Sequence, residues 1–125
     1  MKELTKAEEQ IMQILWELGK GFVNDIIDKM PYPKPAYNTV STIIRILESK
    51  GYVDHKAYGK THEYFPTITK ELYTKGFLKG FIGRYFSNSY KNLVSFLTES
   101  ENLSVTEVEE IIEMLKEQLK SQKDK

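Results

Sequence analysis

Residues 35–66, PAYNTVSTIIRILESKGYVDHKAYGKTHEYFP, limit the possible fold more than any other stretch of this chain. At about 100° per residue, Ala36, Val40, Ile43, Ile44 and Leu47 make one apolar helical face, and Asn38, Ser41, Thr42, Arg45 and Ser49 lie opposite. The spacing predicts a helix over 35–50, with Pro35 in the first turn, where a missing N–H costs nothing. Gly51 stands where a left-handed stop belongs. Residues 52–58 and 61–65 are rich in aromatic and β-branched side chains and flank a tight Gly59-Lys60 turn, so they read as a hairpin that Pro66 closes. A helix with a small polar outer face, followed at once by a basic hairpin, is suited to reading duplex DNA.

The flanking sequence fits that arrangement. Thr5 and Glu8 have capping-box spacing, and Ala7, Ile11, Ile14, Leu15 and Leu18 recur at helical intervals, predicting a helix over 6–18 that Gly19 and Gly21 end. A short helix fits 23–30. Pro31, Pro33 and Pro35 then force an extended connection. Downstream, helices are expected over 70–87, 89–97 and from Ser104 onward. Gly76, Gly80 and Gly83 in the first of these are expected to permit close helix–helix contact. The fold class is therefore mainly α with a small β-hairpin wing: a winged helix-turn-helix domain at 1–68 and a C-terminal helical region at 69–125. Residues 70–120 are amphipathic without a second sheet to cover them. Packing back on the first domain is one outcome; burial against a second copy is the favoured one, through Phe81, Tyr85, Val108, Ile111, Ile112, Leu115 and Leu119.

Composition excludes several classes. The chain has 125 residues, no cysteine and no apolar run near the ~20 residues of a membrane span, and it opens on the charged stretch MKELTKAEEQ. A cytoplasmic protein without disulfides, thiolate metal site or membrane insertion is expected. Net charge is zero, which argues against a generic nucleic-acid coat and leaves a reader with charge sorted by region. Residues 34–62 carry Lys34, Arg45, Lys50, Lys56 and Lys60 against Glu48 and Asp54, whereas 99–117 carry seven Glu against Lys116.

Asn38 has the donor–acceptor pair for adenine, Arg45 can reach guanine or phosphate, and Thr42 has a methyl for thymine. Lys60 at the hairpin tip, with Lys56 behind it, suits phosphate or minor-groove contact. The same features also describe an ordinary solvated helix and solubilising edge lysines. His55 and His62 are expected as diagonal neighbours on one hairpin face, too few for a metal site. Trp16 reads as a packing residue. No nucleophile–base set or glycine-rich phosphate loop is present, so neither an enzyme nor a cofactor is expected. The reading from another class is a winged-helix module that binds protein instead of DNA.

Two motifs resemble the penicillinase-repressor family of winged-helix transcriptional regulators. LTKAEEQIMQILWELG at 4–19 resembles the family's opening helix. NTVSTIIRILESKGYVDHKAYGKTHEYFP at 38–66 resembles its recognition helix and wing, including Thr39-Val40, Thr42, Arg45, Lys50-Gly51, Gly59 and Tyr64. The resemblance implies a homodimeric repressor on a palindromic operator, with contacts from Asn38, Thr39, Ser41, Thr42 and Arg45 and from Lys60 on the wing. The β-lactam repressors carry longer basic side chains where this chain has Asn38 and Ser41, so the resemblance carries the mode of binding and not the operator sequence. In that branch a membrane sensor protease triggers cleavage in the C-terminal region, which by position implies a bond near Phe96-Leu97, although the family's Asn-Phe pair is absent here. The copper branch uses a cysteine-rich motif that this chain lacks.

Overall fold

The computed structural model describes residues 2–100 and 103–123. Its first helix, α1 (Lys6–Leu18), starts on the expected capping box: the Thr5 hydroxyl accepts from the Glu8 N–H at 3.2 Å, and the Glu8 carboxylate accepts from the Thr5 N–H at 2.8 Å. The buried stripe is shifted from the expected one. Ala7 is exposed, while Glu8, Ile11, Met12, Ile14 and Leu15 are buried. Burial of Glu8 is tolerated because the Lys50 ammonium, from the end of the third helix, donates to its carboxylate at 2.7 Å.

The second helix, α2 (Val23–Asp28), is shorter than the sequence suggests. Lys29 and Met30 follow in tight turns that bond to Ile26 and Ile27, as expected just before Pro31, which disfavours helical backbone in the residue preceding it. The Lys34 ammonium donates to the Ile27 and Asp28 carbonyls at 3.1 and 3.0 Å, satisfying the helix's C-terminal acceptors. Helix α3 (Tyr37–Ser49) begins at Tyr37 and not at Pro35, because Ala36 is an extended N-cap. It ends in a Schellman motif: Gly51 N–H bonds to Glu48 C=O at 3.0 Å and Tyr52 N–H to Leu47 C=O at 3.0 Å. Gly51 takes φ +86°, which any side chain would strain.

Strands β1 (Val53–Tyr58) and β2 (Thr61–Pro66) pair antiparallel, from Val53 with Pro66 to Tyr58 with Thr61. Gly21, expected only to break a helix, exchanges both backbone hydrogen bonds with Tyr64, at 2.9 and 2.8 Å. That bridge ties the hairpin to the α1–α2 connection. A Cβ at Gly21 would come within 3.3 Å of the Asp25 side chain, so the position is sterically close as well. Val40, Ile44 and Leu47 of α3 are fully buried with Ile11, Met12, Leu15 and Ile26 and form one core with Tyr52, Val53 and Tyr64. The order α1–α2–α3–β1–β2 around one core is a winged helix.

Helix α4 (Lys70–Phe86) crosses between two compact units; one ends at Phe77 and the next begins at Leu78. Its first turns belong to the winged unit. Tyr73 packs beside Trp16 with ring centroids 5.5 Å apart and donates its hydroxyl to Glu9, and Trp16 donates its indole N–H to the Ile68 carbonyl at 2.9 Å. Burial, then the Glu9 charge and hydrogen bond, pushes the Tyr73 phenol up to about 12.

The second unit contains the end of α4, α5 (Tyr90–Ser100) and α6 (Val105–Lys123). Phe86 sits between Phe81 and Phe96, with centroids 5.8 and 5.6 Å away, and Ile82 is buried. The expected role of the α4 glycines changes for two of them. A Cβ at Gly83 would lie 2.9 Å from the Asn88 amide oxygen, and one at Gly80 would meet the Arg84 guanidinium, so the close neighbours are the turn after α4 and α4 itself. No residue of α5 or α6 is buried. No described helix is long and apolar enough to cross a membrane.

Candidate nucleic-acid interface

The α3 apolar face is held by the core, so its rotation is fixed and its outer face is defined. Asn38, Thr42, Arg45 and Ser49 recur at i, i+4, i+7 and i+11, and none of the first three is buried by the core. Thr39 is exposed on one flank of this stripe, next to the exposed Ile46. Ser41, expected on the outer face, is instead buried, on the other flank. Its hydroxyl accepts from the Arg45 guanidinium at 3.1 Å, so it steadies that side chain. The Thr42 hydroxyl donates to the Asn38 carbonyl at 2.8 Å, which commits it to the helix and leaves its methyl as the distinguishing group.

On the hairpin, Gly59 takes φ +65° in the turn, as a tight hairpin requires. Lys60 at the tip and Lys56 are both exposed, and the Lys56 ammonium lies over the Tyr58 ring, 5.3 Å from its centroid. The basic excess of residues 34–62 is differently distributed from what composition suggests. Lys34 caps α2 and Lys50 pairs with Glu8, so Arg45, Lys56 and Lys60 supply the exposed positive charge.

Helix and wing are joined by a contact that no local pattern in the sequence marks. Glu48, from the last turn of α3, lies 2.5 Å from the His55 ring nitrogen on β1. His55 stacks on His62 with centroids 4.1 Å apart and planes 8° from parallel. The expected diagonal relation thus becomes a face-to-face stack. Tyr64, buried behind it, has its phenol raised by burial and by the Glu48 carboxylate, partly offset by the Arg45 charge. The two-residue offset of His55 and His62 across the Gly59-Lys60 turn signals the stack; nothing nearby in the chain signals Glu48 as their neighbour.

The other residues selected from the sequence lie in the second unit. Phe81 is half-buried against Tyr85 and Phe86, and Tyr85 is exposed. Val108 is half-buried, while Ile111, Ile112, Leu115 and Leu119 form an exposed apolar stripe on α6. Phe96 and Leu97 are exposed on α5.

The family model for penicillinase repressors matches residues 4–117, spanning both units. The chain belongs to the penicillinase repressor family. Membership places it among transcriptional repressors. Among its relatives, the methicillin resistance regulatory protein MecI of Staphylococcus aureus is 29% identical over 114 residues, covering 90% of this chain and 93% of the relative. The penicillinase repressor of Bacillus licheniformis is 23% identical over 123 residues, covering 98% and 96%. A solution structure of the DNA-binding domain of the repressor BlaI aligns with a TM-score of 0.48 and 24% identity over 56% of this chain and 90% of that domain.

Proposed function

We propose that this repressor acts as a homodimer on a palindromic double-stranded DNA operator, each α3 entering a major groove and each β1–β2 hairpin lying on the adjoining backbone. The observation that carries this reading is the outward Asn38–Thr42–Arg45 stripe beside exposed Lys56 and Lys60. A helix of 13 residues spans about 20 Å and fits a groove about 12 Å wide. Asn38 and Arg45 read base edges or phosphate, the Thr42 methyl meets thymine, and Thr39 contacts the flank. Ser41 acts through Arg45. A two-fold pair presents two half-sites about one helical turn or a multiple apart, and promoter occlusion follows.

Selection from random duplexes tests the reading directly. An enriched inverted repeat is the expected result; no enriched half-site, together with a co-purifying protein partner, would favour a protein-binding module. Arg45→Ala is expected to weaken binding or relax base preference by about 1–3 kcal/mol. Unchanged affinity and preference in an anisotropy titration would remove Arg45 from the interface. Lys60→Ala is expected to lower affinity for all sequences alike and to reduce the log K–log salt slope by about 0.9 if Lys60 neutralises one phosphate. A full wild-type slope would refute that role. For release, the family resemblance supports a sensor protease acting near Phe96-Leu97, both exposed on α5.

A further inference from the structure

Glu48, Asp54 and His55 place two carboxylate oxygens and an imidazole nitrogen within 4.8 Å of one another where α3 meets β1. We propose that they bind a first-row divalent transition cation, which clamps the recognition helix to the wing. The donor set selects the class of ion. Magnesium and calcium favour all-oxygen shells, whereas one imidazole with two carboxylates suits zinc and its neighbours, with water completing the shell.

The side chains are already oriented. The His55 backbone N–H donates to Asp54 Oδ1 at 2.7 Å, holding that carboxylate beside the ring. His62 stacks on the His55 ring, 4.1 Å away and 8° from parallel, and so restrains its plane. Bonds of about 2.0–2.2 Å put neighbouring ligand atoms roughly 3–3.5 Å apart. The Glu48–His55 separation of 2.5 Å therefore opens to admit the ion. Glu48 comes from the helix and the other two ligands from the strand, so occupancy links the two DNA-facing elements. Binding also requires nothing from the second unit.

Calorimetric titration of the untagged full chain with zinc chloride tests this. One site per chain is expected, with magnesium unable to compete. Glu48→Gln and His55→Gln should each weaken zinc binding about tenfold or more, while His62→Phe, which keeps a stacking ring, should retain it. Asp54→Asn changes an exposed side chain and should weaken binding even if the other variants fold poorly. No zinc binding by the wild type, or wild-type affinity in the Asp54→Asn variant, would overturn the assignment. Loss of binding in His62→Phe with retention in His55→Gln would overturn it equally, by moving the ligand to His62.

Discussion

Aspartate at Ile111 or Leu115 is expected to yield a monomer and to lower operator affinity by about 10²–10⁴-fold, the scale of avidity lost when two linked sites become one. These side chains are 42% and 54% exposed within the chain, so about half of each is left for a second copy to cover. Aspartate costs a helix interior at most about 0.7 kcal/mol relative to the best helix former. In the proposed two-fold interface each change occurs twice and buries two unpaired carboxylates, which is prohibitive without compensating partners. The winged unit should keep its weak half-site binding, because Arg45 and Lys60 lie in the other unit. Sedimentation velocity read beside operator titration separates the two effects. A wild-type monomer at micromolar concentration would sink the proposal, as would dimeric variants with undiminished affinity.

Legibility followed the range of the interactions. The α1 capping box, the Gly51 stop and the hairpin register are set by residues a few positions apart, and the sequence displayed them directly. The α3 apolar face was also legible, because Val40, Ile44 and Leu47 repeat at helical spacing. Interactions between distant segments were not. Glu8 looked like one half of a local cap, yet its burial depends on Lys50, 42 positions away. Gly21 looked like a helix breaker, and its pairing with Tyr64 depends on how the hairpin returns.

The candidate interface divides the same way. Asn38, Thr42, Arg45, Lys56 and Lys60 stay clear of the core, where periodicity and the turn put them, and Thr39, which only the family resemblance had singled out, is exposed too. Ser41 does not, because it sits at the edge of the polar arc, where a helical wheel cannot tell which neighbour covers it. The wheel likewise left Glu48 as a mere negative charge. Its contact with His55 arises only because the Schellman turn directs β1 back along the end of α3.

The same long-range logic makes Lys50→Met the charge removal expected to cost the winged unit most, about 3–5 kcal/mol at neutral pH. Glu8 is 3% exposed, and the Lys50 ammonium lies 2.7 and 3.0 Å from its two oxygens while also donating to the Glu3 carbonyl at 3.1 Å. Burial alone pushes the Glu8 carboxyl up. The Lys50 hydrogen bond and charge, with the Thr5 bonds, outweigh it and hold the carboxyl below its ordinary value of 4.5. A depressed carboxylate contributes stability that is present above 4.5 and is lost as pH falls through the folded-state value. In Lys50→Met the largest lowering influence, the Lys50 hydrogen bond, vanishes together with its charge, and burial is opposed only by the Thr5 bonds. The variant's deficit should therefore be largest at neutral pH and shrink as pH falls toward 4.5 and below, where Glu8 accepts a proton and needs no cation. Glu8→Gln combined with Lys50→Met should recover part of the loss, since a neutral amide replaces the stranded charge. Urea unfolding followed by circular dichroism at about pH 7 and about pH 4, either side of the carboxyl's ordinary value, measures all three. A Lys50→Met deficit under about 1 kcal/mol near neutral pH, the range of exposed pairs, would show that the Glu8–Lys50 pair behaves as a surface contact.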